Sequence, residues 1–289
     1  MMMREYAIVT DNNADLSLDY YEKHGIEVIY LTYMIDGETY DKNRQLPSED
    51  FYERMRKGSM PTTSQANPEQ AKEVFLKVLK DTDKIIYLAF SGALSGTMNS
   101  GRIAAEEIME EHPEVKITVI DTLAASLGQG LLVYKAVEKM EQGMPYDELV
   151  QWIEENKLHL VHYFTVDDLF HLYRGGRVSK TAAILGTMIN LKPVLHVDDN
   201  GKLIPVSKVR GRKKSLAALV DAMAELKGSY ENDIVMISHG DCPEEAEAVK
   251  KMIQEKFGIE KFLIEPVGST IGAHSGPGTM ALFFFGEKR

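Results

Sequence analysis

Short β-branched runs alternate with helical stretches through the first half of the chain. Tyr6–Thr10 predicts a strand that ends in the polar turn Asp11-Asn12-Asn13. Ser17 and Gly25 bound a short helix as its N-cap and the residue just past its end. Ile26–Ile35 and Glu38–Tyr40 flank Asp36-Gly37, a hairpin signal because both central residues of that turn need positive φ. Ser48–Lys57 predicts a helix ended by Gly58, and Asn67-Pro68-Glu69 opens another with a cap followed by proline at the first helical position. Strand Lys84–Phe90, a helix from about Ser95 to Glu111, strand Lys116–Ile120 and helix Ala124–Gln142 follow. Such alternation predicts right-handed βαβ units and a mostly parallel sheet. Ligands of these sheets lie at the carboxyl ends of strands, here the turns Asp11–Ala14, Ser91–Thr97 and Asp121–Ser126.

The texture changes after helix Tyr146–Asn156. Strand His159–Val166 leads to a short helix ending in Tyr173-Arg174-Gly175-Gly176-Arg177. A helix around Thr181–Thr187, a hairpin over Asp198–Gly201, helix Lys213–Lys227, strand Asp233–Ser238 and helix Pro243–Phe257 come next. Two final strands bracket the glycine-rich stretch Gly268–Gly278. The expected fold is α/β with two domains: an N-terminal, mostly parallel α/β sheet domain over 1–158 and a C-terminal mixed α+β domain over 159–289.

Composition narrows the function classes. With 44% apolar and 27% charged residues the chain has the profile of a soluble folded protein. No apolar run approaches the roughly 18 residues a membrane span requires. The opening MMMREYAIVTDN lacks the apolar core of a signal peptide. The single cysteine, Cys242, excludes an internal disulfide framework and a cysteine-based zinc cluster. These features predict a cytoplasmic protein. A net charge of −11 disfavours wholesale nucleic-acid binding.

Several catalytic signatures are missing. There is no G-x-x-x-x-G-K-[ST], no H-E-x-x-H and no G-x-S-x-G. Gly128-Gln129-Gly130 lies inside a helical pattern, with Val133 where a dinucleotide fingerprint needs a third small residue. His159 and His162, three apart in an expected strand, point to opposite faces and make a poor metal pair. What remains is a set of hydroxyl- and glycine-rich turns: Thr62–Gln65, Ser91–Thr97 and Gly272–Gly278. Glycines let backbone N–H groups approach a ligand, and helix N-termini favour anions. Each turn alone reads first as a helix cap, and His274 alone as a structural histidine. Three together, almost free of acidic residues, point to an anion site built from neutral donors.

The motifs also carry a resemblance. IVTDNNADLS (Ile8–Ser17), TSQANP (Thr63–Pro68), SGALSGTMNSGRIA (Ser91–Ala104) and VIDTLAASLGQG (Val119–Gly130) resemble the DegV family, fatty-acid-binding proteins that serve bacterial fatty acid kinase. LYRGGRVSKTAAILGTMINLKPVL (Leu172–Leu195), KVRGRKKSL (Lys208–Leu216) and IGAHSGPGTMALFF (Ile271–Phe284) extend the match in order along nearly the whole chain. Gly92 stands where the family commonly has serine, which removes any role for a hydroxyl there. The resemblance implies one long-chain fatty acid, such as palmitate, stearate or oleate, buried between the two domains. Its carboxylate would be held by Thr63, Ser95 and His274, with Gly96 and Thr97 helping through their backbone, and Thr10 and Asp11 nearby. Leu94, Ile184, Met188, Ile189 and Leu191 are candidates for lining the tail. The protein would have no catalytic residues, metal or other cofactor of its own. It would present the carboxylate to a separate kinase that makes acyl phosphate for phospholipid synthesis. The alternative is a serine-dependent lipid hydrolase or acyltransferase using Ser95 and His274, for which neither a nucleophile elbow nor an acidic third partner is evident.

Charge is distributed unevenly. Between Leu172 and Lys214 ten Lys and Arg face two Asp, an excess of eight positive charges that leaves −19 on the rest of the chain. This asymmetry predicts an electrostatic docking face; the resemblance implies that its partner is the kinase, with Arg174, Arg177, Arg210 and Arg212 as candidates. An anionic membrane surface could use the same patch.

Overall fold

A computed structural model describes residues 5–167, 169–179 and 190–289. The first half contains β1 (Ala7–Asp11), α1 (Leu18–His24), β2 (Glu27–Ile29), β3 (Thr32–Ile35), β4 (Glu38–Tyr40), α2 (Ser48–Arg56) and β5 (Thr62–Ser64). It continues through α3 (Pro68–Val78), β6 (Lys84–Ala89), α4 (Thr97–Glu111), β7 (Lys116–Asp121), α5 (Leu127–Glu141) and α6 (Tyr146–Asn156). Strands β2, β1, β6 and β7 form a parallel sheet in that order, as the βαβ alternation predicts. Strands β4, β3 and β5 form a small antiparallel sheet. Its hairpin turns at Asp36 (φ 52°) and Gly37 (φ 79°), the two left-handed residues that this loop requires. Asn67 and Gln70 form a reciprocal capping box with Pro68 at the start of α3.

The second half contains β8 (Leu160–Thr165), α7 (Phe170–Arg174), β9 (Leu191–Val197), β10 (Leu203–Arg210), α8 (Arg212–Leu226) and β11 (Val235–His239). It closes with α9 (Pro243–Phe257), β12 (Phe262–Pro266), α10 (Ser269–Ser275) and β13 (Met280–Phe285). Its mixed sheet has the order β10-β9-β8-β13-β11-β12, in which only β11 and β12 pair in parallel. The chain is therefore an α/β protein with one parallel and one mixed sheet.

Helix α5 packs between the two sheets, and its Leu127–Val133 run is buried without a break. A helix that is apolar around most of its circumference must be covered on both sides. Its core includes Ile8, Ile86 and Leu88 of the parallel sheet and Phe164, Met236 and Phe283 of the mixed one. Separate cores lie behind each sheet, with α3 and α4 covering the first and α8 and α9 the second.

Three local expectations change. Thr62–Ser64 is a strand rather than a turn, because it pairs with β3. The stretch between the last two strands contains α10, so His274 sits on a helix. His159 ends a 3-10 turn, Lys157–His159, and the strand begins at Leu160. The helix expected around Thr181–Thr187 lies outside the described residues, as do Ile184, Met188 and Ile189.

Candidate functional site

A cavity of about 430 Å³ opens between the two halves, within the range typical of small-molecule sites. Phe90, Leu94, Phe164, Leu172, Val197, Leu203 and Phe283 supply much of its apolar wall. Thr63, Ser95, Gly96 and His274 supply polar positions of the lining. Among the described residues, no Asp or Glu lines it.

These polar positions come from three elements. Thr63 is on β5, at the edge of the small sheet. Ser95 and Gly96 precede α4, whose fifteen residues start without a side-chain cap at Gly96. Gly96 lines the cavity, so the start of α4, with its partial positive charge, lies at the cavity wall. His274 is on α10, with its Nε2 2.8 Å from Thr63 Oγ1 and its Nδ1 buried without a partner. Gly175, just after α7, backs the imidazole so closely that a Cβ there would collide with Nδ1.

Burial, and after it the nearby Arg177 and Arg174 charges, pull the His274 pKa down to about 4. At neutral pH the ring is an uncharged hydrogen-bonding group. The positive charge comes from the two arginines. Arg177 lines the cavity and donates from Nε and Nη2 to Leu94 O, at 3.2 and 3.0 Å. Arg174 donates to Pro61 O and Ala273 O. Arg212 donates to Glu245 at 2.5 Å and is half-buried. Of the four arginines expected on a docking face, Arg210 alone is exposed.

Other expected residues stand behind the cavity. Thr97 does not line it; its Oγ1 is 3.0 Å from Ser95 Oγ and accepts from Ala66 N, tying β5's exit to the start of α4. Thr10 and Asp11 are fully buried outside the lining. Thr10 donates to Leu88 O, and Asp11 accepts from Asn13 N, Phe90 N and Tyr87 Oη. Leu191 pairs with Arg210 at the start of β9 and is not among the lining residues, whereas Leu94 is. Ser95 Oγ bonds within its own turn, to Thr97, while His274 Nε2 is on Thr63, so the serine and imidazole of the hydrolase alternative are not paired. Among the described residues no cluster of His, Cys, Asp and Glu could hold a metal ion.

Sequence reasoning missed a second polar set. Ser126 and Ser238 line the cavity with Oγ atoms 2.9 Å apart, and Ser126 donates to the buried Asp15 at 2.5 Å. Burial raises the Asp15 pKa to about 8, against hydrogen bonds from Ser126 and Gly268 N. These residues come from four separate segments, and no local motif links them. His162 also lines the cavity, on the mixed sheet beside Phe283.

Hydroxyls, imidazoles, the Arg177 guanidinium and a helix start thus share one cavity with a broad apolar wall, between a parallel and a mixed sheet. The sequence profile described as "Uncharacterised protein, DegV family" matches residues 5–287, and the chain belongs to that family. A DegV domain-containing protein of Clostridium perfringens is 44% identical over 99% of both chains. Among solved structures, a fatty-acid-binding DegV family protein from Thermus thermophilus is 29% identical, covering 98% of this chain and 99% of that one, with a TM-score of 0.87. DegV of Bacillus subtilis, described as a fatty acid binding protein, is 28% identical over 98% of this chain and 100% of that one, with a TM-score of 0.84. Among the described residues no helix is long and apolar enough to cross a membrane.

Proposed function

We propose that this protein binds one long-chain fatty acid between halves 1–158 and 159–289 and presents its carboxylate to a separate fatty acid kinase. The observation that carries this reading is a cavity that joins an apolar wall to Thr63, Ser95 and His274, with no acidic residue lining it among the described residues. The fatty-acid-binding descriptions of the Thermus and Bacillus relatives support it. Burying a methylene contributes about 0.8 kcal/mol, so a tail of about 15 methylenes offers on the order of 10 kcal/mol before association costs. A buried carboxylate without partners would forfeit several kcal/mol of that. Thr63, Ser95, the neutral His274 and the backbone at Gly96 offset the loss, Thr97 keeps Ser95 in position, and Leu94 lies against the tail.

A carboxylate held by neutral donors keeps an oxygen able to attack the γ-phosphoryl group of ATP, which would arrive with the kinase. The protein itself contributes no catalytic group and works in the cytoplasm. Arg210, with the exposed Lys213 and Lys214, forms the part of the basic face best placed to meet an acidic surface of that kinase. In a reconstituted assay with ATP and a fatty acid kinase, acyl phosphate should form only when this protein is present. His274→Ala should lower the output roughly ten-fold, the loss of one hydrogen bond to a charged group. Undiminished output would remove His274 from the reading.

A further inference from the structure

Arg289 is a half-buried charge whose guanidinium is spent on backbone carbonyls. It donates from Nε to Leu160 O at 3.0 Å, from Nη1 to Leu123 O at 2.6 Å and Asp198 O at 3.2 Å, and from Nη2 to Lys157 O at 2.7 Å. All its partners are backbone carbonyls. Burial lowers its pKa to about 10, opposed by the charges of Asp199, Asp198 and Asp121. A desolvated guanidinium is retained only where its donors are well used.

The four carbonyls lie on segments that carry the cavity wall. Leu123 precedes the lining residue Ala125 by two positions, and Leu160 precedes His162 by two. Asp198 follows Val197, which pairs with Leu203. Lys157 begins the turn that enters β8. The tip of the β9–β10 hairpin lies on the same end: Ser91 Oγ donates to Gly201 O at 2.9 Å, and a Cβ on Gly201 would lie 3.2 Å from Leu123 Cα. Leu123 is itself left-handed, with φ 53°, a conformation a branched-chain residue holds only when its surroundings fix it.

Register shows which end of the cavity this is. β8 runs into α7, and β13 leaves the loop after α10, so Thr165 and its partner Met280 mark the His274 end. His162 and Phe283 lie three residues further along, and Leu160 and Phe285 five. At about 3.4 Å per residue these pairs are roughly 10 and 17 Å beyond the His274 end. Arg289 is bonded at the last of these pairs, and its charge is one of the causes that lower the His162 pKa.

We infer that Arg289 is the positioning residue that closes the tail end of the cavity and so sets the longest acyl chain the protein accepts. The guanidinium does not touch the tail. It fixes Ala125, His162, Val197 and Leu203 as a rigid floor by tying their backbones together. The inference rests on the proposed binding of a fatty acid, and deepens it to chain-length selection.

The test compares wild type with Arg289→Met, Arg289→Lys and Leu203→Ala, each checked for folding by circular dichroism. Competition binding with hexadecanoic, octadecanoic and eicosanoic acids gives the affinity ratio of long to short chains. Arg289→Met should raise the preference for the longer acids at least about three-fold, with one acid still bound per chain. Arg289→Lys should recover part of the wild-type ratio, and Leu203→Ala, which shortens a floor side chain directly, should shift it the same way. A folded Arg289→Met protein with the wild-type ratio overturns the inference. If that variant does not fold, an unchanged ratio in Leu203→Ala overturns it instead. Absence of any fatty-acid binding in wild type would sink the underlying reading, a different result from binding with unaltered chain-length preference.

Discussion

The chemistry of this protein is set by where individual charges are suppressed. His274 carries a proton in the native cavity only below about pH 4, while an unfolded histidine takes one up near pH 6.5. The unfolded chain thus binds more protons between those values, so this group's contribution to stability is intact above pH 6.5 and is lost as pH falls towards 4. Asp15 acts in the opposite sense. Its native carboxyl stays protonated up to about pH 8, against 3.8 for an unperturbed aspartate, so its contribution is complete below pH 4 and is lost as pH rises through 8. Asp11, raised to about 6 by burial, loses its contribution over a narrower window in the same direction. Asp15→Asn removes one titrating group. The difference in Tm between this variant and wild type should shift in the variant's favour as pH is raised from 5 to 9, measured by differential scanning calorimetry. Parallel Tm curves over that range would contradict the assignment. Binding should be sensitive to His274 too: His274→Ala is expected to weaken fatty-acid affinity by roughly ten-fold or more, read by displacement of a fluorescent fatty acid.

Elements position these residues, and here sequence and structure part company in instructive ways. The capping box at Asn67–Gln70, the Asp36-Gly37 turn and the alternation that gives β1, β6 and β7 are local signals, legible before any coordinates. Thr63, Ser95 and His274 were singled out from three separate turns, and they do line one cavity. What the local pattern could not supply was pairing between distant segments. Thr62–Ser64 is a strand only because β3 lies beside it, and α10 occupies a stretch whose glycines read as a loop. Arg177, expected on a docking face, donates to Leu94 O and lines the cavity, an arrangement that depends on α7 meeting the turn before α4. The same contact makes Gly175 a sensitive position. In Gly175→Ala the new Cβ would collide with the imidazole of His274 and displace it from Thr63. Affinity should fall about as far as in His274→Ala, with little change in Tm. A Gly175→Ala protein that binds as wild type would show that the ring is free to move without loss.

At the scale of the whole molecule, the two sheets and α5 between them form one continuous core, yet a cavity of about 430 Å³ remains within it. Such a void sacrifices dispersion contacts and is expected in a protein whose ligand completes its packing. Ligand at one hundred times its Kd should stabilise the fold by about 2.7 kcal/mol, raising Tm by roughly 5 °C in a chain of this size. A delipidated sample should show the lower value and recover on adding fatty acid. Arg289 and the Ser126–Asp15 pair escaped the sequence reading for one reason: each joins segments far apart in the chain, and although the turn ending at Ser126 reads as a ligand position, its neighbours do not show the pairing. The most direct test is to purify the protein without added lipid, extract it with organic solvent and identify the extract by mass spectrometry. The account predicts close to one equivalent of long-chain fatty acid per chain. Extracts free of fatty acid, from a folded protein that also takes up none when it is supplied, would contradict it.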